Sequence, residues 1–171
     1  LSNNILKKMR RGYTIDQYRD IVFNLRKRRP NISITTDLIV GFPGETTDDF
    51  LQTLSCINEF SFDSSFCFIY SSRENTLSKK YLDTVEFSVK LKRLNVLQNA
   101  LVKSVQKNIS SLIDTVKIIL IYGSIKKNVY WGKTDCNRTT LFESLKEYEN
   151  GVFVKVLILS NVNNTLLAKI I

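Results

Sequence analysis

The sequence predicts an α/β unit followed by a small all-β barrel, and three observations lead there. An apolar, β-branched run over 34–40 stops at Gly41-Phe42-Pro43-Gly44 and passes into a helical pattern opening at Thr46. That is the order of a buried strand, a βα turn and a helix in a parallel sheet. A second apolar run, SFCFIY over 65–70, follows that helix, so two βα-type units in succession imply a parallel sheet or a segment of a barrel. From Thr115 onward the pattern changes to short β-runs between turn signals, the spacing of a barrel of about five strands.

Each element has a local cause. Thr14 with Gln17 three residues on is a capping-box start. It predicts a helix over 14–29 with Ile15, Tyr18, Val22 and Leu25 on one stripe, ended by Pro30. The 34–40 strand follows, with Asp37 inside it, where a carboxylate needs a partner. A helix over 46–60 places Asp48 and Asp49 at its positive end and turns Phe50, Leu54 and Ile57 inward. After the 65–70 strand and a polar loop, Asp83 with Glu86 opens a long helix reaching about Asn108. Leu91, Leu94, Leu97, Leu101 and Val105 carry its apolar stripe. The β-runs then lie at 116–122, 128–134, 139–142, 152–159 and 165–171. Turn signals stand at Gly123-Ser124, Glu149-Asn150-Gly151 and 161–164. The change of character divides the chain into 1–108 and 109–171.

Composition narrows the chemistry. The 171 residues are 43% hydrophobic and 24% charged, ordinary for a globular protein, and no apolar run approaches the length of a membrane span. There is no histidine, which excludes Ser-His and Cys-His nucleophiles and His-ligated zinc. Cys56, Cys67 and Cys136 match no metal spacing; a reducing compartment, the cytoplasm or an organelle matrix, is expected. A net charge of +9 suggests an anionic partner, RNA or DNA first. Lys7, Lys8, Arg10, Arg11, Arg19, Arg26, Lys27, Arg28 and Arg29 are opposed before Pro30 only by Asp16 and Asp20. A solvated helix face accounts for that cluster equally well.

Four segments resemble, in order, the motifs of the radical-SAM methylthiotransferases. The run from Ser2 to Thr14 resembles their S-N-x-I-L-K-x-M-x-R-G-Y-T segment, and ITTDLIVGFPGETTDDF (34–50) is similar to their fifth-strand motif. FDSSFCFIYSSRENT (62–76) resembles their F-D-x-x-F-x-F-x-Y-S-x-R-x-G-T segment. GKTDCNRTTLF (132–142) is similar to the G-R-T-x-x-N-R-x-V-x-F signature of the TRAM domain, a small β-barrel. The resemblance implies the C-terminal part of a radical-SAM (TIM-like) barrel with its exit helix over 1–108, then a TRAM (OB-like) barrel over 109–171. Asp37 and Tyr70-Ser71-Ser72-Arg73 favour the tRNA-acting branch, of MiaB type, over the branch that modifies a ribosomal protein.

That branch implies addition of a methylthio group to C2 of an isopentenylated adenosine beside the anticodon, with S-adenosyl-L-methionine and two 4Fe–4S clusters. By resemblance Arg11 meets the cofactor's carboxylate, which a guanidinium matches bidentately, and Asp37 accepts from its ribose hydroxyls. The Gly41–Gly44 backbone and Tyr70 line its adenine. In the second domain Lys117, Lys126, Lys127, Lys133 and Arg138 supply phosphate contacts to a tRNA anticodon stem-loop. Tyr130 and Trp131 stack on a splayed base, or Trp131 packs in the core. The family's Cys-x-x-x-Cys-x-x-Cys loop is absent, so an N-terminal part with the first three βα units is expected upstream of Leu1, and this segment alone is expected to be inactive. Asn75 stands where the family has glycine, and Lys133 where the TRAM signature has arginine. The alternatives are a ribosomal-protein methylthiotransferase and a non-catalytic RNA-binding remnant.

Overall fold

The computed structural model of the protein describes residues 1–74 and 76–171; the asparagine-for-glycine exchange at Asn75 lies outside them. Two units are resolved, Leu1–Val105 and Gln106–Ile171.

In the first unit, α1 (Asn3–Lys8) precedes α2 (Ile15–Arg28), β1 (Thr35–Val40), α3 (Thr47–Phe60), β2 (Ser64–Ile69), a 3-10 turn (Leu77–Lys80) and the greater part of α4 (Phe87–Ser110). The capping box expected at Thr14 is present, with the Gln17 side chain returning to the Thr14 N–H at 2.8 Å. A second box opens α3, where Thr46 and Asp49 exchange the same two bonds. The far end of α3 is closed from α2, whose Arg26 donates to the carbonyls of Phe60 and Ser61. A cation there answers both the orphan carbonyls and the negative helix end.

β1 and β2 pair in parallel, Thr35 opposite Ser64 through Val40 opposite Ile69. Leu38 and Val40 are buried with Val22, Phe50, Ile57, Phe60, Phe62, Leu97 and Leu101 in one cluster. The strands, expected to be buried, are covered on the helix-facing side, while Phe66 and Phe68 on the other are 68% and 50% exposed. Asp37 shares that open side, opposite Phe66, so water solvates its carboxylate and no internal partner is required.

Two leucines also depart from their predicted stripes. Leu25 is exposed because α2 meets the core through Ile15, Tyr18 and Val22 alone. Leu91 is exposed because the inward side of α4 begins one residue earlier, with Lys90 and Arg93 buried beside Leu94, Leu97 and Leu101.

The second unit holds β3 (Val116–Lys126), β4 (Val129–Thr134), β5 (Thr139–Glu143), β6 (Phe153–Val162) and β7 (Thr165–Ile170). They close in the order β3-β4-β5-β7-β6. All neighbours are antiparallel except β5 and β7, which run parallel. Ile119, Ile121, Tyr130, Phe142, Val156, Ile158 and Leu166 are buried there. The alternation i-B-i-B along β4 sends Tyr130 inward, stacked on Phe142 at 5.5 Å. Tyr130 is therefore core, not a base-stacking residue. Gly123-Ser124 is not a turn either: β3 continues through it as a pair of bulges, and the reversal comes at Lys127-Asn128, where Asn128 takes a φ of 63°. No helix of the described residues is long and apolar enough to cross a membrane.

Candidate functional site

The loop after β1 is built around two glycines in the left-handed region, Gly41 at φ 71° and Gly44 at φ 75°, where a side chain costs steric energy. Glu45 ties the loop together. Its carboxylate accepts the Gly41 N–H at 2.9 Å and the Arg93 guanidinium at 2.6 Å, and its own N–H donates to the Phe42 carbonyl at 2.8 Å. Arg93 also donates to the Glu45 carbonyl at 3.2 Å. Burial raises the Glu45 pKa above the ordinary carboxylate value, with the Arg93 charge and the Gly41 N–H working against it.

Lys90 lies along the other side of the loop. A Cβ on Gly41 would come within 2.3 Å of Lys90 Cγ, while the Lys90 ammonium pairs with Asp83 and sits 5.6 Å from the centre of the Tyr70 ring. A Cβ on Gly44 would meet Lys8 Nζ at 2.6 Å. The close approach expected at these glycines is thus made by two lysine side chains. Both glycine N–H groups are taken, Gly44's by Thr84 Oγ1 at 3.2 Å.

Tyr70 packs edge-on against Phe42 at 4.9 Å, and its hydroxyl is buried with no hydrogen-bond partner among the described residues. Gly41 and Tyr70 therefore meet at Lys90, with Phe42 against Tyr70, while Gly44 faces Lys8 and Thr84. Asp37 lies upstream on the open sheet side. Arg11 is exposed beyond α1, its N–H bonded to the Leu6 carbonyl, and no side-chain bond joins it to Asp37 among the described residues.

Sequence reasoning missed Glu45, Lys90 and Arg93, although two basic residues at helical spacing with Leu94 and Leu97 were the available signal. It also missed what Ser2 and Asn4 do. Both donate to the buried Asp49 carboxylate, Asn4 at 3.2 Å, alongside the Thr46 N–H at 3.0 Å. Burial works to raise the Asp49 pKa, but these bonds outweigh it and hold the group below the usual 3.8.

In the barrel, Trp131 and Lys133 are half-buried on the outward side of β4, and Lys126 and Lys127 are exposed where β3 reverses into β4. Lys133 Nζ donates to Asn137 Oδ1 at 2.8 Å, and the Arg138 N–H to Thr134 Oγ1 at 3.2 Å, in the loop joining β4 to β5. Lys117 is nine residues from Lys126 along β3, up to roughly 30 Å at the rise of a strand, but only three from Leu120, which pairs with Lys133; it shares the parity of the inward Ile119 and Ile121. Tyr122, which sequence reasoning passed over, stacks on Trp131 at 5.1 Å. Among the described residues no His, Cys, Asp or Glu side chains gather as a metal site.

Comparison with known proteins completes the picture. Residues 1–57 match the model of the radical SAM superfamily. A tRNA-2-methylthio-N(6)-dimethylallyladenosine synthase from Nitrosomonas eutropha is 45% identical over 82% of this chain and 32% of its own length. Proteins of the same name from Ruthia magnifica and Buchnera aphidicola are 39% and 42% identical over 99% and 97% of this chain, each over 38% of its own length. The chain thus spans about a third of the length of these relatives. Over that extent, the chain is similar to tRNA methylthiotransferases and carries a match to the radical SAM superfamily.

Proposed function

We propose that the protein to which this chain contributes methylthiolates tRNA, at C2 of an isopentenylated adenosine beside the anticodon. The observation that carries this is the similarity of nearly the whole chain to synthases whose name states that product. S-adenosyl-L-methionine is the family's reactive cofactor. Asp37, exposed on the open side of β1, suits ribose hydroxyls, and the exposed Arg11 guanidinium suits the carboxylate. Tyr70 lines the adenine beside a loop whose shape Gly41 and Gly44 allow. The 4Fe–4S clusters do not fit here: Cys56 is buried, Cys67 and Cys136 are half-buried, and no metal group forms among the described residues. Burial raises the Cys67 thiol to about 11, far from the thiolate a cluster needs.

The five-stranded barrel serves as the TRAM, OB-like module. It holds the tRNA anticodon stem-loop through Lys126, Lys127, Lys133, Arg138 and Trp131, with Lys117 a further phosphate contact. The compartment is the cytoplasm or an organelle matrix. The test is a chimera in which this chain replaces its counterpart in the Nitrosomonas eutropha relative, expressed in cells without that modification. Mass spectrometry of tRNA nucleosides should show the 2-methylthio product. Its absence from tRNA, with a methylthiolated ribosomal protein instead, overturns the reading in favour of the sister branch. A folded chimera that yields neither product and still binds tRNA points to an RNA-binding remnant.

A further inference from the structure

We infer that Tyr122 and Trp131 form a stacking platform for one unpaired nucleobase of an RNA strand, an inference that rests on the RNA-binding reading of the barrel. The platform is a product of the strand irregularity. Between Ile121, opposite Gly132, and Gly123, opposite Trp131, β3 carries one extra residue, and that residue is Tyr122. A bulge of this kind re-aims a side chain relative to the regular alternation. Here it lays the Tyr122 ring against Trp131 at 5.1 Å between centroids and 30° between planes.

The rings are not core. The barrel interior is filled by Ile119, Ile121, Tyr130, Phe142 and Leu166, while Tyr122 is 47% exposed. Gly123 leaves room for the pair: a Cβ there would stand 3.3 Å from Trp131 Nε1. That contact is tighter than side chains ordinarily make, so a larger residue displaces the indole.

The surroundings select the ligand. Lys133 lies two residues along the same side of β4, and Lys126 and Lys127 lie at the adjoining strand end. Between Val116 and Phe142 the only acidic residue is Asp135. Two stacked rings prolonged by a base, with cations at hand for the flanking phosphates, are the elements of single-strand recognition. An apolar protein partner would gain nothing from the lysines.

Trp131 is the only tryptophan in the chain, so its fluorescence reports on the platform directly. The whole chain is titrated with a 5′-labelled single-stranded RNA oligonucleotide and with an abasic strand of equal length. Label anisotropy follows binding, and tryptophan emission follows stacking. RNA should bind and quench Trp131, whereas the abasic strand should bind more weakly and leave the emission unchanged. Tyr122→Leu should weaken RNA binding between about fivefold and a hundredfold, the range that loss of one base stack implies. The salt dependence should be retained and Tyr122→Phe should behave as wild type; thermal unfolding checks that both variants are folded. RNA binding that leaves Trp131 emission unchanged, or an equal response to the abasic strand, overturns the platform and leaves phosphate-mediated RNA binding standing. No RNA binding by either signal removes the platform and the RNA-binding reading together.

Discussion

In the first unit two parallel strands present Leu38 and Val40 to the helices and leave Phe66 and Phe68 to solvent on the other side; in the second, five strands curl until no edge remains. The strands look alike in sequence. β2 reads SSFCFI and β3 begins VKIILI, both apolar enough for burial. What differs is the availability of neighbours. β3 has β4 on one side and β6 on the other, whereas β2 is paired with β1 alone. A strand's composition states what it can bury, and its neighbours decide how much of that is realised.

Substitutions that separate buried from merely apolar positions test this contrast. The largest effect is expected inside the barrel. Phe142→Ala removes a fully enclosed ring that Tyr130 and Tyr148 pack against, and should cost about 3–5 kcal/mol. Denaturant unfolding followed by Trp131 emission reads it; a loss near zero would show the barrel interior to be loosely packed.

In the first unit the largest expected loss is polar. Arg93→Ala strands the buried Glu45 carboxylate and should cost about 3 kcal/mol or more, read by far-UV circular dichroism. Arg93→Met with Glu45→Gln should recover part of it, because the stranded charge is then gone. Equal losses for the single and double variants would show that the pair contributes through packing and not charge.

Asp49→Asn is expected to be milder, about 1–3 kcal/mol at neutral pH, since the acceptor of the Ser2, Asn4 and Thr46 bonds loses its charge. The sign with pH is fixed. A carboxyl held below its unfolded value of 3.8 contributes stability above that pH, and the contribution disappears as pH falls through the lower folded value. Wild type and variant should therefore converge on acidification; a constant gap from pH 7 to pH 2 would remove Asp49 as the titrating group.

The smallest effect belongs to the open sheet side. Phe66→Ser should change stability by no more than about 0.5 kcal/mol while reducing the binding of a hydrophobic dye. A loss comparable with that of Phe142→Ala would mean that Phe66 is covered in solution.

The sequence made most of the secondary structure legible because local rules determine it. Thr14 with Gln17, Thr46 with its acidic first turn, and the alternation through Val129–Thr134 each carry their own instructions. What it hid depends on contacts far along the chain. Gly41 reads as a turn residue, yet the strongest restriction on it is Lys90, on a helix beginning at Phe87. Asp37 reads as a buried carboxylate because its neighbours are apolar, and only the missing cover over one sheet side exposes it. The bulge that brings Tyr122 to Trp131 left a glycine and a serine that are equally good turn residues. Arg11 was placed by family resemblance alone, and no local pattern marks where its side chain goes.

The strand order β3-β4-β5-β7-β6 also constrains how the second unit can be made on a ribosome. β3, β4 and β5 emerge first and can pair as a meander, but β7 is both the last of these five strands in the chain and the one that bridges β5 to β6. Until it emerges, β5 and β6 each keep an unpaired edge, and the interior around Leu166 stays open. The barrel cannot close before β7 is added, and through that interval its exposed edges invite pairing with other chains.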